Sequence, residues 1–250
     1  MQNERTIILH YHLFKNAGTS IDSILKENFG DRWVTKEFKN SPNTTPDVEQ
    51  WILDNPNAVA FSSHTMNGPL PKIEGTEIIS IMMLRNPIKR IISAYKFERM
   101  QNANTWGSQL ARQLSFEEYV VTRLKESNDN QCRNFQTDRL ATLRPGNESN
   151  IRRAMSALDD ITLIGIVEHF DKSLEKIALK IRETFPDYDY ESTHSNKSKL
   201  FDFELSPALD QLLEECNKAD LRLWKFAKKQ FNQQEDIVAS PVSTTSSPAT

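Results

Sequence analysis

The feature that most constrains this chain is the run Glu77-Ile78-Ile79-Ser80-Ile81-Met82-Met83-Leu84. Its hydrophobicity is near-continuous and does not alternate. A strand that is apolar on both sides must be covered on both sides, which predicts a central strand of a parallel sheet between helical layers. Arg85 ends the run. Asn86 then stands where a helix N-cap belongs and Pro87 at the first helical position. Ile88, Ile91, Ile92, Tyr95 and Phe97 supply that helix's apolar positions.

The rest of the chain repeats this alternation. Residues 6–11 are short, apolar and rich in β-branched side chains, and predict a buried strand. A loop at 16–20 follows. Ile21, Ile24, Leu25 and Phe29 then recur at helical spacing until Gly30 stops the helix. Residues 58–61 predict a second strand and 161–166 a fourth. Helices are expected at 47–53, at 116–125 behind Ser115 as N-cap, at 151–158, at 171–184, and as one long element over 207–231. Strands alternating with helices predict a three-layer α/β domain, P-loop-like, with a central, mostly parallel sheet flanked by helices. The domain is expected to span residues 1–234. The Ser/Thr/Pro-rich residues 235–250 are expected to be a disordered tail, because such a composition cannot repay its ordering entropy.

Composition removes several function classes. The formal charge is −3 from 31 basic and 34 acidic residues. A polybasic nucleic-acid or membrane-surface protein is therefore not expected, and any anion site must be local. Two cysteines, Cys132 and Cys216, make neither a disulfide framework nor a four-ligand zinc site. No membrane span or signal peptide is legible. The chain reads as cytoplasmic.

Two segments carry chemistry. In open α/β sheets, ligands bind at the carboxyl ends of strands. The first such end carries His12-Leu13-Phe14-Lys15-Asn16-Ala17-Gly18-Thr19-Ser20. A loop of small residues entering a helix offers backbone N–H groups and the positive end of a helix dipole. Lys15 adds a point charge; Thr19 and Ser20 add hydroxyls. The loop is not a Walker A motif, because Lys15 precedes the only glycine, Gly18. By itself it is equally an ordinary strand-to-helix turn. The second segment is Leu84-Arg85-Asn86-Pro87-Ile88-Lys89-Arg90-Ile91-Ile92-Ser93-Ala94-Tyr95. Arg85 at a strand tip and Ser93 on the helix wall could close on one phosphate, with the guanidinium binding two oxygens at once. By itself that pattern is equally a surface arginine and a helix-wall serine.

Together the two segments resemble the cofactor signatures of sulfotransferases that use 3′-phosphoadenosine 5′-phosphosulfate (PAPS). The first is similar to their 5′-phosphosulfate loop, with Phe14 where proline is usual and Asn16 where threonine is usual. The second is similar throughout to their 3′-phosphate signature. The carbohydrate sulfotransferases, including the heparan sulfate 2-O type, are closer than the phenol and steroid enzymes. Phe61-Ser62-Ser63-His64 resembles the family's segment with the catalytic histidine, Asn134 to Leu140 a segment near its acceptor side, and His194 to Lys199 its late cofactor-covering loop.

The resemblance implies in-line sulfuryl transfer from PAPS to an acceptor hydroxyl of a small molecule or glycan, with no metal. His64 is implied as general base and Lys15 as the charge-stabilising cation. Lys15, Asn16, Ala17, Gly18, Thr19 and Ser20 would hold the 5′ end, Arg85 and Ser93 the 3′-phosphate, and Lys197, Ser198 and Lys199 would cover the cofactor. His12 is expected to orient the loop. His10, His169 and His194 are expected to be structural, and Trp106 either packs or offers a sugar-stacking face. Two alternatives stay open: a non-catalytic scaffold of the same fold, and a small-molecule kinase with a divergent phosphate loop.

Overall fold

A computed structural model describes residues 5–191 and 204–239, the last six of them by their backbone alone. Strand β1 (Arg5–Tyr11) leads through the loop into α1 (Gly18–Phe29). Next come β2 (Trp33–Thr35), α2 (Thr45–Asp54), β3 (Ala60–Ser63) and β4 (Thr76–Leu84). Helices α3 (Pro87–Met100), α4 (Trp106–Gln113), α5 (Phe116–Lys125), α6 (Phe135–Ala141) and α7 (Asn150–Ala157) follow. The chain closes with β5 (Leu163–Ile166), α8 (Phe170–Arg182), α9 (Pro207–Cys216) and α10 (Lys218–Ala239). The five strands form one parallel sheet in the order β2-β3-β1-β4-β5.

The two sides of the sheet have separate cores. Ile8 of β1 and Ile79, Ile81 and Met83 of β4 pack against α1 and α8. Ile7, Leu9 and Tyr11 of β1 and Met82 and Leu84 of β4 pack against α2, α6, α7 and α10. β4 is therefore covered on both faces, as its unbroken hydrophobicity predicts. A third cluster joins α3, α4, α5 and α9 through Ile91, Tyr95, Tyr119 and Leu213. Helix starts follow local chemistry. Asn86 accepts the Lys89 N–H at the head of α3. Ser115 and Glu118 form a reciprocal capping box at the head of α5. Among the described residues, no helix is long and apolar enough to cross a membrane.

Several elements differ from their sequence pattern. β3 lies two residues later than 58–61, because Ser62 and Ser63 continue the pairing with β1. Their hydroxyls are satisfied in place: Ser62 Oγ accepts from Trp33 Nε1 at 3.1 Å and Ser63 Oγ from the Thr65 N–H at 3.1 Å. The helix expected over 207–231 is two helices, broken at the fully buried Asn217. Asn217 accepts the Asn134 N–H and donates to the Cys132 carbonyl, bonds that α9 running straight on would not allow. β2, α4 and α6 lie in stretches whose polarity reads as loop. Of the expected tail, residues 240–250 lie outside the described residues, and 235–239 continue α10.

Candidate active site

Parallel pairing sets the geometry. Tyr11 is in register with Ser63 of β3 and Met82 of β4, so these three strands end together. The loop after β1, the turn after β3 and Arg85 after β4 therefore leave the same edge of the sheet.

In the loop, Lys15 (φ 63°) and Ala17 (φ 61°) both sit in the left-handed region, unusual for side-chain-bearing residues. Asn16 between them holds this conformation. It is fully buried, its N–H donates to the Leu13 carbonyl, and its amide nitrogen donates to the Met83 carbonyl at 2.7 Å and to Gln136 Oε1 at 2.8 Å. Asn16 is thus a strut joining the loop to β4 and α6 through its amide nitrogen. Among the described residues, the N–H groups of Ala17, Gly18 and Thr19 have no acceptor, and they face the positive end of α1. The Ser20 N–H is engaged by the Ala17 carbonyl at 3.1 Å, leaving its hydroxyl as its contribution. Gly18 is required because a Cβ there would stand 2.1 Å from His12 Cδ2.

Arg85 ties the two segments together. Its Nη1 donates to the Lys15 carbonyl at 2.9 Å, while Nε is buried and has no partner among the described residues. Burial pushes the guanidinium pKa down and the nearby Glu168 carboxylate pulls it up. The backbone of Arg85 is held on both sides by Gln136, which accepts its N–H at 2.9 Å and donates to its carbonyl at 2.8 Å. Asp220 of α10 in turn accepts the N–H groups of Gln136 and Thr137, so α10 fixes the head of α6. The Lys15 ammonium lies 4.3 Å from the centre of the Phe97 ring. Burial first, and the Arg85 charge second, push its pKa down. Ser93 is half-buried and lies four residues before Phe97 on α3, about 6 Å nearer the tip of β4 on the same face.

His64 is half-exposed. Its Nδ1 lies 2.6 Å from Glu37 Oε1, and its ring centre is 3.8 Å from that of His12. Behind it, Asp22 of α1 holds two histidines at once: Oδ1 is 2.7 Å from His10 Nδ1 and Oδ2 is 2.7 Å from His12 Nδ1. Burial raises the Asp22 carboxyl pKa, but the hydrogen bonds from His10 and His12 outweigh it and hold it well below the usual carboxylate range. His10, His12 and Asp22 bring their ligating atoms within 4.8 Å of one another. Hydrogen bonds within the trio already occupy both Nδ1 atoms. Arg139 Nη2 donates to the carbonyls of His64 at 2.8 Å and Met66 at 3.0 Å, bracing the turn.

The sheet edge therefore brings Lys15, Asn16, Ala17, Gly18, Thr19, Ser20, His64 and Arg85 together, and Ser93 lies half-buried on α3, one turn before Phe97. Lys197, Ser198, Lys199 and His194 lie outside the described residues. Trp106 opens α4 with its ring against the Arg123 guanidinium and remains half-exposed. Sequence reasoning missed Glu37, Asp22, Gln136 and Asp220. None lies in a recognisable motif, although Gln136 and Arg139 fall within the flagged segment Asn134 to Leu140.

A family model described as "Sulfotransferase family" matches residues 1–227. An uncharacterized protein of Archaeoglobus fulgidus is 37% identical over 241 residues, covering 88% of this chain and 95% of that one.

Proposed function

The chain belongs to the sulfotransferase family, and from that premise we propose that it uses PAPS to sulfate a hydroxyl of a carbohydrate acceptor. The observation that carries the reading is the bond from Arg85 Nη1 to the Lys15 carbonyl, which joins the 3′-phosphate candidate to the 5′-phosphosulfate loop. The residues present fit the cofactor: loop amides at Ala17 to Thr19, unpaired among the described residues, suit the 5′ end, and a half-buried guanidinium whose Nε has no partner among those residues suits an anion. The carbohydrate acceptor rests on the likeness to carbohydrate sulfotransferases. Residues 1–234 are read as one catalytic domain.

When bound, PAPS supplies an activated sulfuryl group, whose transfer forms an O–S bond to the acceptor and breaks the O–S bond to the phosphate. Such displacements pass through loose transition states, so the protein's work is positioning and charge stabilisation. Lys15 places its ammonium against oxygens that gain charge. The amides of Ala17 to Thr19, with the Thr19 and Ser20 hydroxyls, orient the 5′ end. Arg85 and Ser93 hold the 3′-phosphate. His64 takes the acceptor hydroxyl's proton.

Calorimetric titration tests the cofactor. Adenosine 3′,5′-bisphosphate is expected to bind about 10- to 150-fold more tightly than adenosine 5′-phosphate, the range set by charge-assisted bonds of roughly 1.5–3 kcal/mol. No preference, or tighter binding of Mg²⁺–ATP, would overturn the reading in favour of a kinase. Preference without transfer to any acceptor would favour a scaffold.

A further inference from the structure

The residues around Glu37 form a built support. Glu37 lies on the segment after β2, 27 residues before His64. Its Oε1 meets His64 Nδ1 at 2.6 Å and accepts the His64 N–H at 3.3 Å, and its Oε2 accepts from the Thr65 hydroxyl at 2.8 Å. The next residue, Phe38, is buried against Trp51, and its N–H donates to Thr65 Oγ1 at 2.6 Å. The segment 37–38 and the turn 64–65 are therefore laced together, and the carboxylate has little freedom to leave. The His12 ring covers the His64 ring at 3.8 Å and is itself pinned by Asp22.

A carboxylate is only an acceptor, so Nδ1 of His64 must be the donor, and in the neutral ring Nε2 then carries the lone pair. Histidine free in water favours the opposite neutral tautomer. We infer that Glu37 is a positioning residue that holds His64 with Nε2 as proton acceptor, so that the base is a carboxylate–imidazole dyad. The inference rests on reading His64 as the base. As the acceptor oxygen bonds to sulfur, its proton passes to Nε2; Nδ1–H stays on the imidazolium, and Glu37 stays ionised and stabilises it. Among the described residues, the charged and titratable groups facing His64 are Glu37, His12 with Asp22 behind it, and Arg139 at its carbonyl.

Two measurements on the full chain test this. ¹⁵N NMR of the imidazoles, with His64→Asn to assign the signals, is expected to show neutral His64 protonated on Nδ1, and Glu37→Ala is expected to move it toward the Nε2–H form. A wild-type His64 protonated on Nε2 would overturn the inference, whatever the enzyme's activity. In turnover with PAPS and an accepted hydroxyl compound, the near-isosteric Glu37→Gln is expected to lower kcat at least about tenfold with KM for PAPS unchanged. Glu37→Asp is expected to restore part of the rate. A kcat that Glu37→Gln leaves unchanged, with a lower melting temperature, would mean that Glu37 only supports the turn. Full activity in His64→Asn would instead remove His64 as base while leaving the NMR result standing.

Discussion

The guanidinium of Arg85, at the tip of β4, donates to the carbonyl of Lys15 in the loop after β1 at 2.9 Å. One side chain thus both shapes the 5′ loop and faces the place proposed for the 3′-phosphate. Arg85→Lys keeps a charge but loses the fork. It is expected to weaken adenosine 3′,5′-bisphosphate binding about tenfold or more, and adenosine 5′-phosphate binding by a smaller factor through the loop. Equal weakening of both nucleotides in calorimetry would mean that Arg85 serves the loop alone.

Gly18 lies beneath a histidine ring that cannot easily move, because Asp22 grips its Nδ1. Gly18→Ala is expected to destabilise the fold by about 1–3 kcal/mol, as overpacking does. Urea unfolding measures this. The combination Gly18→Ala with His12→Ala is expected to recover much of the loss, since the clash is then gone.

Ala17 adopts φ 61° at the N-cap of α1. A left-handed residue with a Cβ is strained by roughly 1–2 kcal/mol, against which glycine loses more entropy on folding. Ala17→Gly is therefore expected to be neutral or stabilising by up to about 1 kcal/mol. Ala178→Gly, inside α8 and buried, is expected to destabilise by about 1 kcal/mol or more. Thermal melts of the two variants should move apart.

Asp22 has its carboxyl pKa held down by its two histidines. A carboxylate with a depressed folded-state pKa contributes stability that is present above its unfolded value, about 3.9, and is lost as pH falls toward the folded one. Asp22→Asn is expected to lower the urea midpoint at pH 7. It is also expected to flatten the decline of stability below about pH 4 relative to wild type. Parallel curves for the two proteins would show that Asp22 does not drive that decline.

Much of the fold was legible along the chain. The apolar run of β4 announced a central strand, Asn86-Pro87 marked the start of α3, and Ser115 marked α5, because caps and periodicity act within one or two turns. β2 was not legible: it has three residues, is only half-buried, and exists because it pairs with β3. The break between α9 and α10 was not legible either. A helical apolar period runs through Asn217, and what interrupts it is a bond to Cys132, 85 residues away.

The candidate site divides in the same way. The sequence alone placed the loop after β1 and the arginine at a strand tip, and the family resemblance it carries singled out the histidine after β3, because each is a short pattern tied to a strand end. Only the tertiary structure decided that Asn16 reaches Gln136 across 120 positions, that Glu37 meets His64, and that Asp22 joins His10 to His12. Those pairings depend on parallel register and on which helix covers which face. They are settled by packing over the whole domain, and no local pattern of residues encodes them.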